Sequence, residues 1–262
     1  MIGSIIGDIC GSTYEFSGIK HVDFDLTHPA SEITDDSILS FATAETLLRG
    51  GDYAEAYRRY GTTYRFPMGG YGHGFKCWLY GGSSEPYNSC GNGSAMRVGP
   101  VGWACDTVEA VLKEAARSAG VTHDHPEGIK GAQATALAVF MARHKASKED
   151  IRSEISGRFG YDLSRTCDEI RPGYHFKPTC QETVPEALAA FFDSTSYEHA
   201  LRLAISLGGD ADTLACIAGG IAEAWYGSIP DHLQEFATPR IPEPLSALLQ
   251  EFRATYGPSH QP

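Results

Sequence analysis

Several things are scarce in this chain of 262 residues, and each shortage narrows the field. No apolar run reaches the roughly eighteen residues a membrane-spanning helix needs, so no membrane span is expected. Basic residues are few, 21 Lys and Arg against 33 Asp and Glu, for a net charge of −12. No Lys/Arg stripe appears, which argues against binding along a nucleic-acid backbone, although a modified nucleobase stays among the small substrates considered. An anionic ligand would be repelled at long range and would have to be met locally by backbone N–H groups and bound metal. The seven cysteines include no Cys-x-x-Cys pair. That excludes a disulfide framework and a structural zinc site and points to a reducing cytoplasm. The opening Met1-Ile2-Gly3-Ser4-Ile5-Ile6-Gly7-Asp8 has no basic lead and meets an aspartate early, so it does not read as a signal peptide. No linker divides the chain, so one domain over 1–262 is expected, working as a monomer.

Alternating strand patterns are also scarce, and helical periodicity fills their place. Apolar stripes predict helices over 38–49, 107–119, 131–144, 184–193, 197–207, 213–226 and 244–255. Gly3, Gly7 and Gly11 recur at four-residue spacing in an apolar segment. On a helix they form a smooth ridge that lets another backbone come close. A helical glycine costs about 1 kcal/mol against alanine, so a packing or functional gain has to offset it. The expected fold is all-α, with its site built on loops.

Two acidic clusters carry most of the chemical information: Thr34-Asp35-Asp36-Ser37 and Gly208-Gly209-Asp210-Ala211-Asp212-Thr213. Each sets carboxylates and hydroxyls at the threshold of a helix-like run, with no Lys or Arg inside the motif. Thr34 followed by two aspartates is also an ordinary helix N-cap with a charge-compensated first turn. The two readings are compatible. Brought together, the carboxylates could not all stay ionised without a cation among them. Hard oxygen donors of this kind suit Mg²⁺, Mn²⁺ or Ca²⁺.

Three loops add to the picture. Gly69-Gly70-Tyr71-Gly72-His73-Gly74 can wrap its amides around an anion or serve as a plain flexible turn. Ser89-Cys90-Gly91-Asn92-Gly93-Ser94-Ala95-Met96-Arg97 holds a tight Asn-Gly turn. Its Arg97 has a structural reading too, as the partner of a buried aspartate. Thr122-His123-Asp124-His125-Pro126 has histidines but no third and fourth ligand nearby for a closed transition-metal site, so the two rings are expected to orient a substrate or a helix end.

Together with Gly7-Asp8-x-x-Gly11, these motifs occur in the order and approximate spacing of the ADP-ribosylglycohydrolase family, which the chain resembles from about residue 3 to about residue 227. The resemblance implies an almost wholly α-helical single domain and two Mg²⁺ or Mn²⁺ ions. It implies hydrolysis of the bond between C1″ of ADP-ribose and its acceptor, a modified protein or a small molecule. It assigns Thr34, Asp35, Asp36, Asp210, Asp212 and Thr213 to the metals, with Ser37 standing where the family usually has threonine. It places Gly70, Gly72, His73 and Gly74 on the pyrophosphate. Ser89, Cys90, Gly91, Asn92 and His123 then fall on the ribose and adenosine side, with Tyr87 as the aromatic expected against adenine. Glu15 coincides with a glutamate of one branch that binds metal and gates the site. The implied catalytic set is Glu15, Asp35, Asp36 and Asp210, with Glu15 as acid or base. The arginine-directed branch carries an aspartate where this chain has Met68-Gly69-Gly70-Tyr71, which points to an O-linked acceptor. A silent binding relative would be expected to have lost metal ligands, and a generic phosphohydrolase would have no use for the Gly-Asn-Gly-Ser-Ala-Met-Arg segment.

Overall fold

The computed structural model describes residues 1–257. Its regular structure is helical, and among the described residues there is no extended strand. The last residues of the domain expected over 1–262 lie outside the described ones. Buried apolar side chains from Met1 to Phe252 belong to one core.

All seven helices expected from the apolar stripes are present: Asp35–Arg49, Val108–Gly120, Pro126–Arg143, Cys180–Asp193, Tyr197–Ser206, Ala211–Tyr226 and Glu243–Tyr256. Three of them start about a turn earlier than the stripe indicates, behind a capping residue or a proline. Pro126 occupies the first turn of its helix, where its missing N–H costs nothing, and His125 caps it by accepting from Glu127 N at 3.1 Å. The helix Cys180–Asp193 starts behind Thr179 and carries Pro185 inside. The structure adds Tyr53–Thr63, His73–Tyr80, Lys148–Phe159 and Asp231–Ala237, with shorter helical turns between.

At the centre lies Ala211–Tyr226, buried on nearly every side. The helix Ile2–Gly11 is packed along it through the glycine ridge. A Cβ at Gly3 would lie 2.5 Å from Gly219 O, at Gly7 2.1 Å from Ala215 O, and at Gly11 2.5 Å from Ala211 O. No side chain larger than hydrogen fits there, so the backbones meet directly. The seam runs antiparallel and brings Gly11, and the 3-10 turn Ser12–Tyr14 behind it, beside the start of the central helix. Two isolated bridges complete the frame around that point: Thr34 pairs with Met68, and Gly91 with Thr179. They hold the glycine-rich loop against the acidic helix start, and the Asn-Gly turn against the entry of Cys180–Asp193.

Candidate active site

Both acidic clusters sit at helix N-termini, and the seam brings those termini together. Thr34 caps the helix Asp35–Arg49, accepting from Asp36 N at 3.2 Å, so the capping reading and the clustering of carboxylates hold at once. Behind it lies a residue not included in the expected set, Asp8, fully buried on the glycine-ridge helix. It accepts from Thr34 N at 3.0 Å, Thr34 Oγ1 at 2.6 Å and Ser37 N at 3.2 Å, and from Ser37 Oγ. Thr34 therefore spends its hydroxyl on Asp8 and does not line the cavity. The signal for Asp8 was its presence as a lone aspartate among apolar residues in Gly7-Asp8-x-x-Gly11.

Glu15, Asp210 and Asp212 each offer a carboxylate oxygen within 4.8 Å of the others. Asp35 and Asp36 line the same cavity. Among the described residues none of these carboxylates, nor Asp8, is paired with a Lys or Arg. Their protonation equilibria register the strain. Burial pushes Asp8 up to about 6 in spite of its four hydrogen bonds. Glu15 is pushed up to about 7 by burial, then by Asp210 and Asp8. Asp35, Asp36 and Asp212 lie well above the ordinary carboxylate range, from burial first and then from neighbouring aspartates. Asp36 Oδ1 is buried without a hydrogen-bond partner. An orphaned carboxylate oxygen beside unpaired acids is a donor set that fits a hard divalent cation.

The cavity holds about 320 Å³, within the range of small-molecule sites. The glycine-rich loop runs from the acids to an aromatic wall. A Cβ at Gly69 would meet Glu15 Oε2 at 2.5 Å, and one at Gly74 would meet the Tyr87 ring at 2.8 Å. Gly69 and Gly70 take left-handed φ of 73° and 76°, which glycine adopts without cost. The buried Tyr71 between Gly70 and Gly72 anchors the loop by donating to Tyr64 O at 2.8 Å. Tyr87 packs near His123, ring centroids 5.9 Å apart. Asn92 joins the two sides, donating from Nδ2 to Asp210 Oδ2 at 2.8 Å and to Thr183 Oγ1 at 3.2 Å.

Of the expected site residues, Glu15, Asp35, Asp36, Gly70, Gly72, Gly74, Tyr87, Ser89, Gly91, Asn92, His123, Asp210, Asp212 and Thr213 surround this cavity. His73 does not. It begins the helix His73–Tyr80 with its ring exposed and Nε2 3.6 Å from Cys77 Sγ. Cys90 is also outside the lining, and its carbonyl accepts from Cys180 N at 2.9 Å. The structural reading of Arg97 needs correction. It is fully buried but pairs with no aspartate, donating instead to Ser118 O at 3.2 Å and Thr122 Oγ1 at 2.7 Å. Phe176 and Pro178 also line the cavity, with no sequence signal to mark them.

The family description ADP-ribosylglycohydrolase matches residues 1–257. The chain belongs to the ADP-ribosylglycohydrolase family. Similar curated proteins include the Homo sapiens ADP-ribosylhydrolase ARH3, 29% identical over 90% of this chain and 87% of that protein. Another is the ADP-ribosylarginine hydrolase Tri1 of Pseudomonas putida, 29% identical over 87% of this chain and 69% of that one. A solved structure described as an ADP-ribosylglycohydrolase-related protein complex superposes with a TM-score of 0.74 at 26% identity, covering 97% of this chain and 95% of its own.

Proposed function

We propose that this ADP-ribosylglycohydrolase is a divalent-metal-dependent hydrolase that releases ADP-ribose from an O-linked acceptor, and that its single domain holds the whole site. The observation that supports this most is the cluster of Glu15, Asp210 and Asp212 with Asp35 and Asp36 beside it, unpaired and open to a cavity of about 320 Å³. Glu15, Asp35, Asp36, Asp210 and Asp212, with the Thr213 hydroxyl, are the residues that would hold Mg²⁺ or Mn²⁺. When bound, such ions supply Lewis acidity and activate water at neutral pH.

The chain's own residues do the rest. Asn92 restrains the Asp210 carboxylate. The backbone of Gly70 to Gly72 and the start of the helix His73–Tyr80 face the pyrophosphate, where N–H groups and the helix dipole meet its negative charge. Lys76 adds a cation, its Nζ 3.7 Å from where a Cβ of Gly70 would stand. The Tyr87 ring provides a face for adenine. Glu15 reaches the carboxylate cluster from its rim, and when it is not ligating it is free to act as acid or base toward the acceptor. It can give its proton to the departing acceptor oxygen as the bond at C1″ breaks, while water supplies the new oxygen.

The uncharged stretch Met68 to Tyr71, which passes Glu15, supports an O-linked acceptor over a cationic guanidinium. The similarity to a protein named as an ADP-ribosylarginine hydrolase favours the other linkage, so the test has to include both. A panel of serine-, arginine- and nucleobase-linked ADP-ribose and O-acetyl-ADP-ribose, assayed for free ADP-ribose with and without metal, decides it. Faster release from oxygen than from arginine is expected, along with loss in EDTA and recovery with Mg²⁺ or Mn²⁺. Full activity in excess EDTA, or equal kcat/KM for the two linkages, would overturn the corresponding part of the proposal.

A further inference from the structure

A buried guanidinium with no carboxylate partner is costly and calls for a reason. Arg97 is such a group, 0% exposed. Its Cζ lies 4.1 Å from the Tyr57 ring centroid, a cation–π contact that returns part of the cost. Among the described residues its Nε and Nη1 have no hydrogen-bond partner. Its Nη2 is the working end, 2.7 Å from Thr122 Oγ1.

That contact has a direction. Arginine only donates, so the Thr122 oxygen accepts. The other neighbour of this hydroxyl is His123 Nδ1, at 2.8 Å. If Nδ1 carried the ring proton, Thr122 would accept twice and its own buried hydroxyl proton would have no acceptor. The satisfied arrangement is the reverse: Thr122 donates to Nδ1, and the ring proton sits on Nε2. Burial, and then the Arg97 charge, hold His123 well below the ordinary histidine range, so the ring is neutral at pH 7. Its Nε2 edge lies against the Asn-Gly turn on the cavity wall, 3.4 Å and 3.3 Å from where Cβ atoms of Gly91 and Gly93 would stand. Among the described residues Nε2 has no hydrogen-bond partner.

We propose that Arg97 and Thr122 are positioning residues that lock His123 in the neutral Nε2–H tautomer, giving this wall of the pocket one fixed N–H donor for an acceptor oxygen of the bound nucleotide. The identity of that nucleotide rests on the ADP-ribose reading, but the tautomer does not. Arg97 fixes the acceptor side of Thr122, Thr122 fixes the ring, and the ring aims the donor. The wall then selects a phosphate or ribose oxygen over a group that can only donate.

The test is a two-bond ¹H–¹⁵N correlation spectrum of histidine-labelled protein, with the His123 signals assigned by their loss in His123→Gln. The wild-type protein should show the Nε2–H pattern. Thr122→Val should mix or invert it and weaken ADP-ribose binding by about tenfold, the scale of one lost hydrogen bond. Thr122→Ser, which keeps the hydroxyl, should retain both the pattern and the affinity. A wild-type Nδ1–H pattern would overturn the proposal even if no variant folds, and so would wild-type affinity in Thr122→Val. If the wild-type protein bound no ADP-ribose at all, the functional reading would fail while the spectrum still reported the tautomer.

Discussion

Two walls of the same pocket handle buried charge in opposite ways. On one, Asp36, Asp210 and Asp212 are buried, with Asp8 behind the wall, and no cation lies beside them, so burial and mutual repulsion drive protons onto those whose equilibrium is shifted. On the other, Arg97 is buried with no anion, is stacked on Tyr57 and passes its influence on through Thr122 and His123. In an ordinary core such charges would be paired with each other. Kept apart, each leaves a charge that the protein itself does not neutralise, which on the acidic wall suits the proposed metal ions and on the other acts through the neutral His123 ring.

The largest expected effect comes from breaking the acidic wall. Asp212→Asn keeps the shape and removes one negative charge, and it should lower kcat/KM with metal present by at least about 10²-fold, because a displaced reacting group is costly. The same change should leave the melting temperature of the metal-free protein unchanged or raise it, since a like-charge repulsion is gone. A destabilised metal-free variant would show that this carboxylate holds the fold rather than an ion. Next in size is Glu15→Gln. Loss of a positioned acid should reduce kcat by about 10²- to 10⁴-fold. ADP-ribose affinity, read by calorimetry, should change far less, and an unimpaired variant would remove Glu15 from the chemistry.

The pH dependence of stability separates the two walls without any substrate. Asp8 is pushed up to about 6 and Glu15 to about 7, above their unfolded values. The folded metal-free protein therefore binds more protons than the unfolded chain, and this contribution is complete below about pH 4, where both states are protonated. It should be lost as pH rises through 6 and 7, so the metal-free melting temperature should fall from pH 5 to pH 8. Added Mg²⁺ should flatten the curve. A metal-free protein that gains stability over this range would contradict the assignment. The smallest effect is expected on the loop between the walls. A Cβ at Gly72 meets nothing within 4 Å, so Gly72→Val should fold normally. It should weaken ADP-ribose binding by about tenfold if backbone amides there meet phosphate, and should leave adenosine binding unchanged.

The sequence was legible where an apolar stripe or a capping motif spoke for a helix, and it fell silent where the stripe was written in other residues. Tyr53, Tyr57 and Tyr60 bury one face of the helix Tyr53–Thr63, and tyrosine does not mark a core as leucine does. In Lys148–Phe159 only Ile151 and Ile155 are buried, too few to set a period. The acidic half of the site could be read because paired aspartates at helix starts are chemically conspicuous. Asp8 was harder to place because it stands alone in an apolar run, and its role depends on a seam with a helix some two hundred residues further on. Arg97 was visible, but its partner was not. A fully buried arginine suggests a carboxylate, whereas here a tyrosine ring and a threonine hydroxyl serve, and only the packing reveals them.

The glycine seam has a consequence for anyone who would engineer this protein. Replacing helical glycines with alanine is a common route to greater stability, worth up to about 1 kcal/mol per site where the backbone allows it. In this molecule the helical glycines do not all respond alike, and the extremes have opposite outcomes. Gly157 has open space around its missing Cβ and is a safe place for such a gain. Gly7, with a carbonyl oxygen 2.1 Å from that position, is not: an added methyl group would wedge the first helix away from the central one. The helix so displaced carries Asp8 and leads into Glu15, so the seam works as a spacer gauge for the carboxylates, and a stabilisation campaign that ignored it would detune the site.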